Sequence, residues 1–136
     1  MAREIKFRGK AMDWKWKYGL LTKKKIRNSG KISYAIAKDD CSLINTIPIN
    51  EDTIGEFTGF KDIDCKEIFE GDIIQNDECP ENVGYVELFR GGWHFNRCGA
   101  LVELCWALED MPFKVIGNIH DNPELLEGGK ADDEDC

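Results

Sequence analysis

Apolar and polar residues alternate at every second position over much of the chain, which is the period of half-buried strands. Ile5 and Phe7 alternate with charged neighbours between Arg3 and Arg8. After a turn over 9–13, Trp14, Trp16 and Tyr18 fall on one face, with Lys15 and Lys17 on the other. This predicts a β-hairpin with an aromatic inner face. Asn28-Ser29-Gly30 is a turn signal, and Ile32, Tyr34 and Ile36 resume the alternation. A further strand is expected within 42–49, and the residues from Pro48 to Asp52 mark a boundary. Beyond it, 53–60 reads as a strand interrupted by Gly55 and Gly59, as at a bulge or bend. A tight turn over 62–66 follows. Next come two short strands, Glu67 to Phe69 and Asp72 to Ile74, around the bend at Glu70-Gly71. A polar loop with Pro80 leads to a hairpin of 83–89 and 93–96, closed by Arg90-Gly91-Gly92.

The segment 100–108 fits two periods equally well. Leu101, Leu104, Cys105 and Leu108 form a helical stripe, whereas Val102, Leu104, Trp106 and Leu108 alternate as in a strand. Residues 113–119 read as a strand. Asn122-Pro123-Glu124 carries an N-cap, a first-turn proline and an early acid, so a short helical turn is expected through Leu126. The fold class that follows is mainly β. An N-terminal β-hairpin region, 1–50, is expected to pack on a small barrel-like, SH3-like antiparallel sheet over 51–126, with a shared core. Residues 127–136 read as an acidic, disordered tail.

A chain of 136 residues buries about two-thirds of its unfolded surface, enough for a core without staples. No run of about 18 apolar residues offers a membrane span. The first ten residues lack the apolar stretch of a signal peptide, so a cytoplasmic location is expected. Six cysteines occur, Cys41, Cys65, Cys79, Cys98, Cys105 and Cys136, with no CxxC pair. Without an export signal they are expected to be free thiols. Charge divides the chain sharply. Residues 1–38 hold twelve Lys/Arg against two Asp/Glu, a net of +10, and residues 39–136 hold six against twenty-four, a net of −18. The halves either neutralise one another, within the fold or between subunits, or the basic half faces an anionic partner. The first alternative is the more ordinary.

Three segments in order resemble the YopX family of phage and prophage proteins. They are Lys6-Phe7-Arg8-Gly9 with Trp16-Lys17-Tyr18-Gly19; Thr53 to Asp62 running into Lys66 to Ile74; and Val115 to Leu126. The resemblance spans 3–126 and is weakest over 75–112. It implies a mainly β, cytoplasmic, phage-associated protein of a family to which no molecular activity is assigned, and it transfers no catalytic residues. This chain departs from the family at two points. It has Asp64-Cys65 where the family usually has Asn-Gly, and His120 where the family usually has an aromatic residue. A positive φ at Cys65 costs about 1 kcal/mol more than at glycine.

Candidate chemistry is sparse. Glu67, Glu70 and Asp72 around Gly71 suggest a carboxylate pair binding a cation, but a turn explains them as well, with Gly71 at positive φ and Asp72 accepting backbone N–H groups. His94, Cys98, Cys105 and His120 are metal ligands by type but lack the close pairing of structural zinc sites. Neither His94 with Cys98 nor His120-Asp121 comes with an oxyanion turn, so the chain is not expected to be an enzyme. No cofactor is expected. The stretch 14–27 interleaves aromatics with Lys15, Lys17, Lys23, Lys24, Lys25 and Arg27, the residue types that hold single-stranded nucleic acid. Strict alternation argues against this, because it sets aromatic and basic groups on opposite faces. The expected function is a non-catalytic binding module acting through protein contacts, with itself or with a phage or host protein. A homo-oligomer is compatible with the opposite charges and exposed strand edges. The alternatives are a nucleic-acid-binding accessory protein and a phage counter-defence protein, the latter resting on the family's setting alone.

Overall fold

The computed structural model describes residues 4–26, 28–37 and 46–126, which form eleven strands, one 3₁₀ turn and one α-helix. The chain divides into two compact units, 1–57 and 58–136.

In the first unit β1 (Phe7–Lys10) pairs antiparallel with β2 (Trp16–Lys25), in register Phe7↔Gly19 to Lys10↔Trp16. The rest of β2 pairs with β3 (Ile32–Ala37), which in turn pairs with β4 (Thr46–Ile49). Asn28 (φ 68°) and Gly30 (φ 69°) both take left-handed backbone in the β2–β3 turn, as the Asn-Ser-Gly signal predicts. The earlier part of the strand expected over 42–49 lies outside the described residues. Asn50 Oδ1 caps the 3₁₀ turn Glu51–Thr53 by accepting from the Asp52 N–H, and the Thr53 hydroxyl oxygen accepts the Lys10 N–H at 2.8 Å. β5 (Gly55–Lys61) begins on the far side of β1, with Arg8↔Gly55 and Phe7↔Glu56.

The second unit continues β5 and adds β6 (Glu67–Phe69), where the Thr58 hydroxyl donates to the Ile68 carbonyl at 2.7 Å. Its main sheet runs β10-β9-β8-β7-β11 from β7 (Asp72–Asn76), β8 (Val83–Phe89), β9 (Gly92–Arg97), β10 (Ala100–Glu103) and β11 (Phe113–Asn118). Every pairing is antiparallel. The mainly β class is as expected, but the barrel is not. Among the described strands β10 and β11 are the two ends of an open sheet. The glycine bends turn the chain between short strands without bringing those ends together.

The ambiguous segment resolves into both elements. Ala100–Glu103 is strand, and Leu104–Asp110 is a helix, α1, that buries Leu104 and Ala107. These two close a core formed by Ile68, Ile74, Val86, Phe95 and Phe113. The Phe95 and Phe113 rings lie 4.8 Å apart, tilted by 56°. Close strand approach explains Gly84, where a β carbon would run into the Asn96 carbonyl. Beyond β11, Leu125 N–H donates to Asn122 O and Leu126 N–H to Pro123 O, which is the short helical turn predicted there.

The turn between β5 and β6 is built on Asp62. Its Oδ1 accepts the N–H groups of Asp64 and Lys66, both at 2.8 Å, and its Oδ2 accepts that of Val115 at 2.9 Å. Cys65 takes φ 64°, the left-handed conformation anticipated from the resemblance. Cys65→Gly should therefore raise the unfolding free energy by about 1 kcal/mol by removing the clash of the β carbon with its own backbone. The check is a urea titration, and a stability equal to or below wild type would contradict the strain.

Candidate functional site

The β1–β2 connection determines the surface of the first unit. Ala11 N–H donates to the Lys15 carbonyl at 3.1 Å, and Trp14 N–H donates back to the Ala11 carbonyl at 3.0 Å. A three-residue hairpin loop of this kind normally ends in a left-handed residue, for which glycine is best suited. Here that residue is Trp14, with φ 63°. Trp14 is 73% exposed, and the neighbouring Met12 is 91% exposed. Asp13 braces the loop. Its Oδ1 accepts the Lys15 N–H at 3.0 Å and its Oδ2 pairs with Lys17 Nζ at 3.3 Å. The Lys15 N–H, with help from Lys17, holds the Asp13 carboxyl below the usual carboxylate range. Lys10, Met12 and Trp14, together with Pro48 and Ile49 of β4 and Asn50 just beyond it, line a cleft of about 400 Å³.

Cations share the aromatic face. Register places Arg8 opposite Tyr18 and Lys10 opposite Trp16. The Arg8 guanidinium lies 4.6 Å from the Trp16 ring, and Lys10 Nζ lies 5.5 Å from that ring and 5.8 Å from Trp14. Lys6 Nζ lies 5.7 Å from the Phe57 ring. These are cation–π distances. The expected aromatic core face is thus corrected: Trp16 is half-buried, but Trp14 and Tyr18 are exposed. The alternation rule assumed extended backbone through 14, where the chain is turning. It also weighed only the lysines of β2. Arg8 and Lys10 were missed because they come from the neighbouring strand, and only the hairpin register reveals them.

The basic residues singled out from the sequence do not converge. Lys15 is exposed in the loop, and Lys17 is tied to Asp13. Lys23, Lys24 and Lys25 are exposed at the far end of β2, and Lys24 stands about 26 Å along the strand from Trp16. Arg27 lies outside the described residues.

Asp72 is buried and its Oδ2 accepts the Phe69 N–H at 2.7 Å, while Gly71 takes φ 89°. The carboxylates around Gly71 therefore include a turn brace, as the alternative reading held. His94 Nδ1 lies 3.0 Å from the Gly92 carbonyl, and its ring meets Phe89 edge-on at 5.8 Å. Among the described residues no three His, Cys, Asp or Glu side chains group as metal ligands do. Cys65, Cys79 and Cys105 are free thiols. Cys98 is not, and this corrects the expectation: it is disulfide-bonded. Loose spacing made a pairing illegible in the sequence. A hydrogen bond to Glu81, ahead of desolvation, pushes the Cys79 thiol up and away from the reactive thiolate.

The second unit presents a strand edge. All four residues of β10 are exposed, and Leu101, Val102 and the α1 residue Trp106 (64% exposed) are large and apolar. Other described edges are guarded in the ways that sheet proteins use. β4 contains Pro48, which has no N–H to offer. β6 is three residues long. β11 shifts register between Val115 and Gly117 and carries Lys114, which is paired with Asp77 at 2.9 Å. β10 has no proline, lysine or bulge.

No helix among the described residues is long and apolar enough to cross a membrane. The family model described as "YopX protein" matches residues 6–127. A solved protein from Enterococcus faecalis, 26% identical, superposes with a TM-score of 0.58, covering 92% of this chain and 99% of that one. The yopX protein of Bacillus subtilis, 19% identical, does so with a TM-score of 0.51, covering 90% of this chain and 96% of that one. No curated protein matches.

Proposed function

The chain belongs to the YopX family, and from that premise we propose that it is a non-catalytic accessory module of phage or prophage origin, working in the bacterial cytoplasm by binding a protein through the β10 edge. The carrying observation is the contrast among edges: β10 alone among the described edge strands is exposed throughout, and it carries no proline, lysine or bulge. An extended segment of a partner can continue the sheet there by main-chain hydrogen bonds, while Leu101, Val102 and Trp106 supply apolar anchors. The partner is a second copy of the chain or a phage or host protein. A counter-defence role would use the same surface.

The test is a double variant, Leu101→Lys with Trp106→Glu. Both side chains are exposed, so circular dichroism and the melting temperature should stay close to wild type. Ultracentrifugation and affinity capture from phage-carrying cells should show a defined complex for the wild type, weakened about tenfold or more in the variant. A wild type that is monomeric and captures nothing, or a variant that retains the same complex, would defeat the reading.

A further inference from the structure

The first unit carries a feature that protein binding at β10 leaves unused. Trp14 occupies a loop position suited to glycine, at a cost in backbone energy, and holds its indole in solvent beside a cleft. Strain of this kind persists where a side chain is wanted at that place. We infer that the cleft beside Trp14 takes an unstacked base of single-stranded nucleic acid, with Lys10 meeting an adjoining phosphate.

The cleft volume of about 400 Å³ is that of a small-ligand pocket. Ile49 and Pro48 provide an apolar surface, and Trp14 offers a face on which any base can stack. Lys10 is part of the lining and stands 5.8 Å from the indole. Lys15 follows in the same loop and is exposed. Among the described residues no acidic side chain lines the cleft, and Asp13 is already paired with Lys17. Glu51 and Asp52 follow Asn50 in the chain and repel phosphate, which favours a path of the backbone past Lys10. A strand continuing along β2 meets Lys23, Lys24 and Lys25 about 23–30 Å from Trp16. This run adds nothing to the binding of an uncharged peptide, and a duplex keeps its bases stacked inside, so a single strand fits the charge and the shape together.

The experiment uses the full chain and a labelled oligothymidylate of about 12 nucleotides, within the span of small single-strand sites, read by fluorescence anisotropy. The wild type should prefer the single strand to a duplex of equal length, with affinity falling as salt rises. Trp14→Gly removes the ring and relieves the left-handed strain. It should weaken binding about 10- to 100-fold while melting at or above the wild-type temperature. Trp14→Phe should retain most of the affinity. Lys10→Gln should weaken binding and reduce the salt slope by about one phosphate. The inference is overturned by a wild type that does not bind the single strand at low salt, or by Trp14→Gly binding unchanged. Equal affinity for duplex overturns it too, as does an apolar peptide that occupies the cleft while the oligonucleotide does not compete. A lower melting temperature for Trp14→Gly also overturns it, because the indole would then be a structural prop. None of these outcomes touches β10, so this inference and the protein-binding proposal stand or fall separately.

Discussion

Phe113→Ala should lower the unfolding free energy by about 3–5 kcal/mol, the range for truncating a phenylalanine in a close-packed core. Phe113 is fully buried at the start of β11, and its ring is tilted against Phe95 at 4.8 Å. Around it stand Ile68 from β6, Ile74 from β7, Val86 from β8, and Leu104 and Ala107 from α1. A void there is bordered by several elements whose backbones are fixed by sheet pairing, so the site cannot collapse to fill it. The main chain at 113 also accepts the Ile63 N–H at 3.1 Å, which ties the β5–β6 turn to the same point. A urea titration followed by circular dichroism measures the loss. A change under about 1 kcal/mol would mean that the residue lies outside a packed core.

Asp62→Ala ranks next, with an expected loss of about 2–4 kcal/mol. The carboxylate is buried and serves three backbone donors, Asp64 and Lys66 through one oxygen and Val115 through the other. Alanine leaves all three without this acceptor, and unsatisfied donors cost more than an average bond is worth. Asp62→Asn is the sharper probe. An amide has one oxygen and one NH₂, so at least one backbone N–H must face a donor, and its stability should fall between wild type and Asp62→Ala. Equal stability for Asp62→Asn and wild type would show that one oxygen suffices and that the Val115 contact contributes nothing.

Much of the strand order was legible because half-buried strands write a period of two into the sequence, as at Ile32, Tyr34 and Ile36. The segment after Ala100 was ambiguous for a physical reason. Leu104 and Leu108 satisfy both periods, and the backbone changes from strand to helix at Leu104. Sheet closure was not legible, since glycine bends show where a chain turns but not whether its last strand reaches its first. The candidate surfaces were half legible. The aromatic and basic residues of the N-terminal region could be read from composition, but their placement depends on one dihedral, that of Trp14, and on cross-strand register, neither of which side-chain alternation encodes. The β10 edge was invisible for the same reason that it matters: an edge is defined by the strand that is not beside it.

Pro48, the bulge in β11 and the shortness of β6 together would limit how far any assembly through β10 could go. If two copies join through β10, each has spent the one receptive border among its described strands, and a two-fold axis makes the contact self-complementary. Growth then stops at a pair. A molecule with two receptive borders would polymerise into a filament, whereas a pair joined in this way terminates itself.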